Sequence, residues 1–122
     1  KVKKDLKQVC AMENWHPSHF LDVAEMAFGV AVAYDWCYYH LDYDTRVSVR
    51  KKLHDCAVCV ARGGQSFYTN TGNWNEVCNA GVIAASIVTY EQNRADSREA
   101  IENGIASNTK AMKAIYSFFP SY

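Results

Sequence analysis

The chain has 122 residues, of which 49% are hydrophobic, and its 13 basic side chains balance 13 acidic ones. A hydrophobic fraction of this size excludes intrinsic disorder as the main state. A chain without net charge has no field to attract DNA, RNA or an anionic membrane, so we predict no nucleic-acid partner. The longest apolar stretch, residues 20–37, contains three acidic side chains, which argues against a membrane span.

Hydrophobic side chains recur at helical spacing through most of the chain, and no segment has a convincing strand pattern. Pro17 separates the first two helices, because proline disfavours helical backbone at the residue before it. Ser18 is the expected N-cap of the second helix. We predict five helices, over residues 2–14, 19–40, 45–62, 73–92 and 97–118.

The second and fourth predicted helices are apolar around most of their circumference, whereas the third and fifth are amphipathic. A helix that is apolar on nearly all sides is buried on nearly all sides. The alternation favours antiparallel helical hairpins in two layers, an inner and an outer one, with a plain helical bundle as the alternative. A chain of this length can scarcely surround both apolar helices. We therefore predict exposed apolar helix surface that a second copy would cover in a homo-oligomer.

Two predicted helix starts have the spacing of a capping box, in which an N-cap side chain and an acidic side chain three residues later satisfy free backbone N–H groups. Asn73 and Glu76 have this spacing at the fourth helix, and Asp96 and Glu99 at the fifth.

The chain has five cysteines, an odd number that cannot all pair within one chain. Four of them lie in apolar helical patterns, where a free cysteine packs as a small hydrophobic residue. Cys56 and Cys59, near His54, have the spacing of a metal or redox pair. A single CxxC without a second pair more often means only a shared helix face. We predict no metal and no cofactor.

Aromatic residues are interleaved with amide, acid and imidazole side chains in three segments, residues 15–19, 34–36 and 73–79. Such residues suit a carbohydrate site, since aromatic rings stack on sugar rings while amides and carboxylates bind hydroxyl groups. The same residues also fit a structural interpretation. In that interpretation Trp15, Trp36 and Trp74 anchor the core, and His19 makes a structural hydrogen bond.

The sequences HFLDVAEM at residues 19–26, YDW at 34–36 and NWNEVCNAG at 73–81 resemble the helical domain of heparinase II/III-type polysaccharide lyases. FFP at residues 118–120 resembles the run before that family's catalytic segment, and the resemblance extends over residues 15–120. It implies an all-α fold that forms part of an incomplete α/α toroid, followed by a β-rich domain. Residues 1–122 are then expected to be one helical domain, a fragment of a toroid that continues past Tyr122.

The resemblance also implies a bacterial enzyme, periplasmic or secreted, that cleaves uronate-containing polysaccharides by β-elimination. In this chemistry a side chain neutralises the uronate carboxylate, a tyrosine or histidine removes the C5 proton, and a tyrosine protonates the leaving O4. Asn73 lies where the family places the group that meets the substrate carboxylate, at a helix start that favours an anion. Asn73 is the expected catalytic residue, and Trp74, Asn75, Glu76 and His19 are the expected substrate-binding residues.

The chain departs from the family pattern at two places. Trp74 occupies the position where many such lyases have a histidine, and the family's catalytic tyrosine is expected beyond Tyr122. We therefore expect the chain alone to be inactive. One alternative is a non-catalytic carbohydrate-binding or helical interaction module. Another is an α/α-toroid glycoside hydrolase that uses paired carboxylates such as Asp35 and Glu76.

Overall fold

In the computed structural model, which describes residues 1–117, all regular structure is helical. The elements are α1 (Val2–Ala11), α2 (Phe20–Trp36), α3 (Tyr43–Leu53), α4 (Cys59–Arg62), α5 (Asn73–Thr89) and α6 (Arg94–Ser117). A π-helical turn (His54–Val58) joins α3 to α4, and 3-10 turns occupy Tyr38–His40 and Ser66–Thr69. The predicted all-α class is thus confirmed. The FFP run, the predicted last helix end and Tyr122 lie outside the described residues.

The predicted boundaries of several helices were wrong by a few residues. α1, α2 and α5 end at Ala11, Trp36 and Thr89, earlier than predicted. After α2 the backbone tightens into a 3-10 turn, which is common at helix ends. α2 begins after His19 rather than after Ser18. Neither α2 nor α5 has a side-chain hydrogen bond that caps its start.

Both predicted capping boxes were also wrong. Gly72 is the N-cap of α5, because the helix starts at Asn73 itself. The N–H of Gly72 donates to Asn70 Oδ1 at 2.6 Å. α6 begins at Arg94, so that Asp96 lies inside its first turn. The carboxylates of Asp96 and Glu99 bind the guanidinium of Arg62 on α4 instead of capping their own helix.

Side-chain contacts show that consecutive long helices are antiparallel. Arg50 of α3 donates to the hydroxyl of Tyr34 on α2 at 2.6 Å, and the guanidinium of Arg46 lies 4.6 Å from the ring centroid of Tyr38, just after α2. Later positions on α3 therefore meet earlier positions on α2. The α5–α6 pair has the same geometry, because the hydroxyls of Thr89 and Ser97 are 3.3 Å apart near the connecting turn.

The two apolar helices, α2 and α5, run parallel to each other. His19, at the start of α2, contacts Trp74 at the start of α5, and Gly81 further along α5 meets Ala24 further along α2. α3 and α6 follow them as their antiparallel partners, and the π turn after α3 contacts α6 through His54 and Asp96. The predicted antiparallel hairpins are therefore present, while their division into an inner and an outer layer stays a prediction.

The core lies mainly between α2, α3, the π turn and α5. Fully or nearly fully buried side chains include Val23, Ala27, Val49, Leu53, Val58, Cys78, Val82 and Ala85. Among the tryptophans, Trp15 is buried at 3% exposure, as a core anchor would be, whereas Trp36 is 81% exposed, so the core interpretation of Trp36 was wrong. Trp36 is the last residue of α2, and its side chain faces solvent although Tyr34, two residues earlier, is buried.

The apolar helices leave some hydrophobic surface in contact with solvent. Phe28 of α2 is 49% exposed and Ile87 of α5 is 61% exposed. This surface is compatible with the predicted contact to a second copy, which stays a prediction. Among the described residues, no helix is both long and apolar enough to cross a membrane.

Gly81 allows the closest approach between α2 and α5. A Cβ atom at Gly81 would lie 2.6 Å from Cα of Ala24 and still closer to its carbonyl oxygen, so α2 would have to move. We expect Gly81→Ala to lower the free energy of unfolding by about 1–3 kcal/mol through overpacking, measured by urea denaturation. Gly29→Ala is the matched control, since nothing lies within 4 Å of its added Cβ. It should raise the free energy of unfolding by about 0.5–1 kcal/mol through helix propensity. Equal effects of the two variants would contradict the close approach.

Asp42 links α1 to α3 and gives the fold a dependence on pH. Its carboxylate pairs with the Lys3 ammonium and accepts the N–H of Thr45 at 2.8 Å, and these interactions hold the pKa of Asp42 well below its usual value. The unfolded-state pKa is about 3.9, so this stabilisation is complete above about pH 5 and is lost as the pH falls below about 4. We expect Asp42→Asn, which can still cap α3, to lose less stability than the wild type between pH 7 and pH 3 in urea denaturation. Identical losses would contradict this role.

Candidate functional site

The five predicted site residues form a surface group and an interior group at one end of the α2–α5 pair. Asn73 and His19 are exposed, Trp74 and Glu76 are half-buried, and Asn75 is fully buried. Four of them occupy the first turn of α5, whose first backbone N–H groups have no partner within the helix. The site is thus built on the N-terminus of α5, together with His19, the residue just before α2.

His19 and Trp74 make the direct contact between the two helix starts. Their ring centroids are 5.0 Å apart and their planes are nearly perpendicular, at 84°. Edge-to-face packing of this kind is favourable for aromatic pairs and limits rotation of both rings. The contact places a half-buried indole beside the exposed amide of Asn73.

His16 and Asp22 also belong to this surface, although neither was among the predicted site residues. His16 Nδ1 lies 2.7 Å from Asp22 Oδ2, and His19 Nδ1 lies 3.0 Å from Asp22 Oδ1. The hydrogen bond with His16, and to a smaller extent the one with His19, lowers the pKa of the Asp22 carboxyl below its usual value. The spacing HxxHxxD was the available sequence signal for this cluster.

Asn75 has a structural position. Its Nδ2 donates to the carbonyl of Phe67 at 3.0 Å and to the hydroxyl of Ser107 at 2.8 Å, and its Oδ1 accepts from Asn79 at 2.9 Å. Ser107 in turn donates to the carbonyl of Tyr68 at 2.9 Å. The side chain therefore ties the loop before α5 to α6, and it has no exposed surface for a ligand to contact.

Glu76 is the fourth residue of α5, and its Oε1 is buried without a hydrogen-bond partner among the described residues. The buried hydroxyl of Tyr68 also lacks a partner there, and burial, together with the charge of Glu99, raises the pKa of Tyr68. Buried polar atoms are normally satisfied, so each marks a place where a polar ligand group would be favourable.

A second cluster lies at the π turn, away from the predicted site. Nε2 of His54 is 2.9 Å from Asp96 Oδ2, and Sγ of Cys59 is 3.5 Å from the same nitrogen. The π turn brings His54 and Cys59, five residues apart in one helical run, into contact. Turns of this kind are frequent at functional sites. Arg62 also pairs with Asp96, so the carboxylate is already neutralised. Burial raises the pKa of Cys59, which keeps its thiol protonated at neutral pH.

The cysteines of the described chain are all free, and Cys56 and Cys78 are buried. Burial raises the pKa of Cys78 to about 11. These two residues therefore pack as small hydrophobic side chains, in agreement with the structural interpretation of the sequence.

A wide cleft lies elsewhere, between α1 and α3. It has a volume of about 730 Å³, and lysines and aspartates such as Lys7, Lys52 and Asp55 line it. Its lining mixes positive and negative side chains without an aromatic or imidazole group. The start of α5 combines aromatic, imidazole and amide groups. We therefore take the surface formed by His19, Asn73 and Trp74 as the candidate site, and name it the α5 surface.

A scan of the chain against models of known protein families finds no match, and a search of curated proteins finds no match either. The residues of the site and the resemblance of the three sequence segments are therefore the observations that bear on function.

Stability measurements can separate the buried amide from the exposed one. We expect Asn75→Ala to lower the free energy of unfolding by about 1–3 kcal/mol, because Asn79, Ser107 and the Phe67 carbonyl lose a buried partner. Asn73→Ala, two residues away and exposed, should change it by less than about 0.5 kcal/mol. Urea denaturation of both variants tests this difference, and equal destabilisation would contradict the assignment of Asn75 to the interior.

Proposed function

We propose that the chain is a helical-domain segment of a heparinase II/III-like polysaccharide lyase and that the α5 surface binds a uronate-containing polysaccharide. The observation that carries the proposal is the meeting of His19 and Trp74 at the starts of two parallel helices, beside the exposed Asn73. All three residues belong to the segments that resemble the family.

The chemistry of the α5 surface suits an acidic sugar. The side-chain amide of Asn73 can donate a hydrogen bond to a uronate carboxylate, and the helix N-terminus adds free N–H groups and a favourable dipole. Neutralising this carboxylate makes the C5 proton more acidic, which is the first requirement of β-elimination. The indole of Trp74 offers an apolar edge to a sugar ring, and the imidazole of His19 lies against it.

The arrangement of helices supports the toroid part of the proposal. In an α/α toroid the inner helices run parallel to one another, and each is followed by an antiparallel outer helix. α2 and α5 have the first relation, and α3 and α6 have the second. The remaining toroid, the catalytic tyrosine, the β-rich domain and a periplasmic or secreted location all belong to the proposal.

One observation favours the non-catalytic alternative. The half-buried side chain after Asn73 is the indole of Trp74, which cannot accept a proton as an imidazole can. His19, which contacts Trp74, hydrogen bonds to Asp22 through its Nδ1 atom. A carbohydrate-binding module without catalysis would need only the amide and aromatic groups that are present.

Titration calorimetry with oligouronates, such as oligomers of alginate or of a glycosaminoglycan, tests binding to the α5 surface. We expect Trp74→Ala to weaken binding about tenfold, the effect of losing about 1.4 kcal/mol of aromatic contact. Trp36→Ala is the matched control, because this exposed tryptophan lies at the opposite end of α2, about 25 Å away. It should leave the affinity unchanged.

Binding that is unaffected by both Trp74→Ala and Asn73→Ala would overturn the proposal. The products then separate the three functions. A lyase leaves an unsaturated uronate that absorbs in the near ultraviolet, a hydrolase forms no double bond, and a binding module leaves the polymer intact. We expect the chain alone to bind without producing this absorbance.

A further inference from the structure

The turn between α1 and α2, with the first turn of α2, brings together on the surface three side chains of the types that bind metal ions. His16 and His19 each face a different oxygen of Asp22, at 2.7 and 3.0 Å, and the three donor atoms all lie within 4.8 Å of one another. All three residues are exposed, so that an ion can reach them directly from solvent.

The two nitrogen–oxygen separations in the cluster are close to those between ligand atoms on a tetrahedral metal ion. Zinc binds imidazole nitrogen and carboxylate oxygen at about 2.0–2.2 Å, so two ligand atoms on one ion are about 3.3–3.6 Å apart. The observed nitrogen–oxygen separations are slightly shorter. A small outward movement of the two exposed imidazoles would therefore open the space for the ion. Each imidazole would then bind it through Nδ1 and carry its proton on Nε2.

The backbone holds His16 in this arrangement at a conformational cost. His16 has a φ of 60°, the only positive φ among the described non-glycine residues. This left-handed conformation is unfavourable for a residue with a side chain. Here it reverses the chain just before Pro17, so that the imidazole of His16 lies against Asp22 in the first turn of α2.

The electrostatic surroundings favour this cluster over the one at the π turn. Asp96 at the π turn already pairs with Arg62, whose positive charge would repel a metal ion. Within residues 1–117, Asp22 forms ion pairs with the two histidines and with no lysine or arginine.

We propose that His16, His19 and Asp22 form a binding site for a divalent transition-metal ion of the zinc type. The three side chains supply two nitrogens and one oxygen and leave a fourth position open to water, the ligand number of zinc sites that bind an exchangeable ligand. The edge-on contact with Trp74 restrains the ring of His19 at the site. The proposal is independent of the sugar-binding function, because its test uses the metal alone.

The experiment is titration calorimetry of the intact chain with Zn²⁺, carried out in a Cys59→Ser background to remove the exposed thiol. We expect one ion per chain, with binding at least tenfold weaker in both His16→Gly and Asp22→Asn. His16→Gly is the more informative variant, because glycine accepts a φ of 60° without strain and the fold should be retained. His40→Ala, which removes an exposed histidine outside the cluster, is the matched control and should bind as the background protein does.

The spectrum of the Co²⁺-loaded wild-type chain gives a second measurement. Ligation by His16, His19 and Asp22 should produce visible d–d absorption without the thiolate-to-cobalt charge-transfer band in the near ultraviolet. Two results would overturn the proposal. One is Zn²⁺ binding that His16→Gly leaves unchanged, and the other is a charge-transfer band that Cys59→Ser removes, which would place the ion at the π turn.

Discussion

The backbone contact between Ala24 of α2 and Gly81 of α5 is the constraint on which the rest of the structure depends. Because Gly81 has no side chain, α5 lies directly against the backbone of α2. Dense packing of this kind leaves no freedom for the two helices to slide past each other. The register that it sets brings the two helix starts to the same end, where His19 meets Trp74. The α5 surface is thus a consequence of a contact in the middle of the helices.

The buried amides explain why only part of the NWN segment faces solvent. Asn75 and Asn79 are one helical turn apart and both point towards α6, where they share the hydroxyl of Ser107. A buried amide costs free energy unless its hydrogen bonds are made, so this network tolerates only one position of the preceding loop. The loop in turn determines where α5 starts. Asn73 is therefore at the surface because Asn75 is held in the interior.

The sequence predicted the helices and their antiparallel pairing because burial of apolar side chains dominates both. The periodicity of α2 and α5, with apolar residues on most sides, was enough to expect an inner layer. Helix starts were harder, because the alternative caps differ in free energy by only about 1 kcal/mol. Asp96 shows the difficulty, since its carboxylate binds Arg62 on α4 and does not cap its own helix, α6. That contact depends on tertiary packing, which helical periodicity does not contain.

The candidate site was predictable where it depended on a helix start and unpredictable where it depended on the turn before α2. The segment that begins at Asn73 does start α5, and two of the predicted site residues, His19 and Trp74, are in contact. The HxxHxxD spacing could have suggested a role for His16. The left-handed backbone before Pro17 that brings its ring to Asp22 is not indicated by the sequence pattern.

The two histidine clusters show how the same residue types acquire different roles. At the π turn, the guanidinium of Arg62 bonds to both Asp96 and Glu99, so these charges link α4 to α6. At the start of α2, the carboxylate of Asp22 meets only the two imidazoles and stays open to solvent. Because Arg62 neutralises the carboxylates at the π turn, that cluster serves as a structural connection. The lack of a cationic partner among the described residues makes Asp22 the carboxylate that an external cation would satisfy.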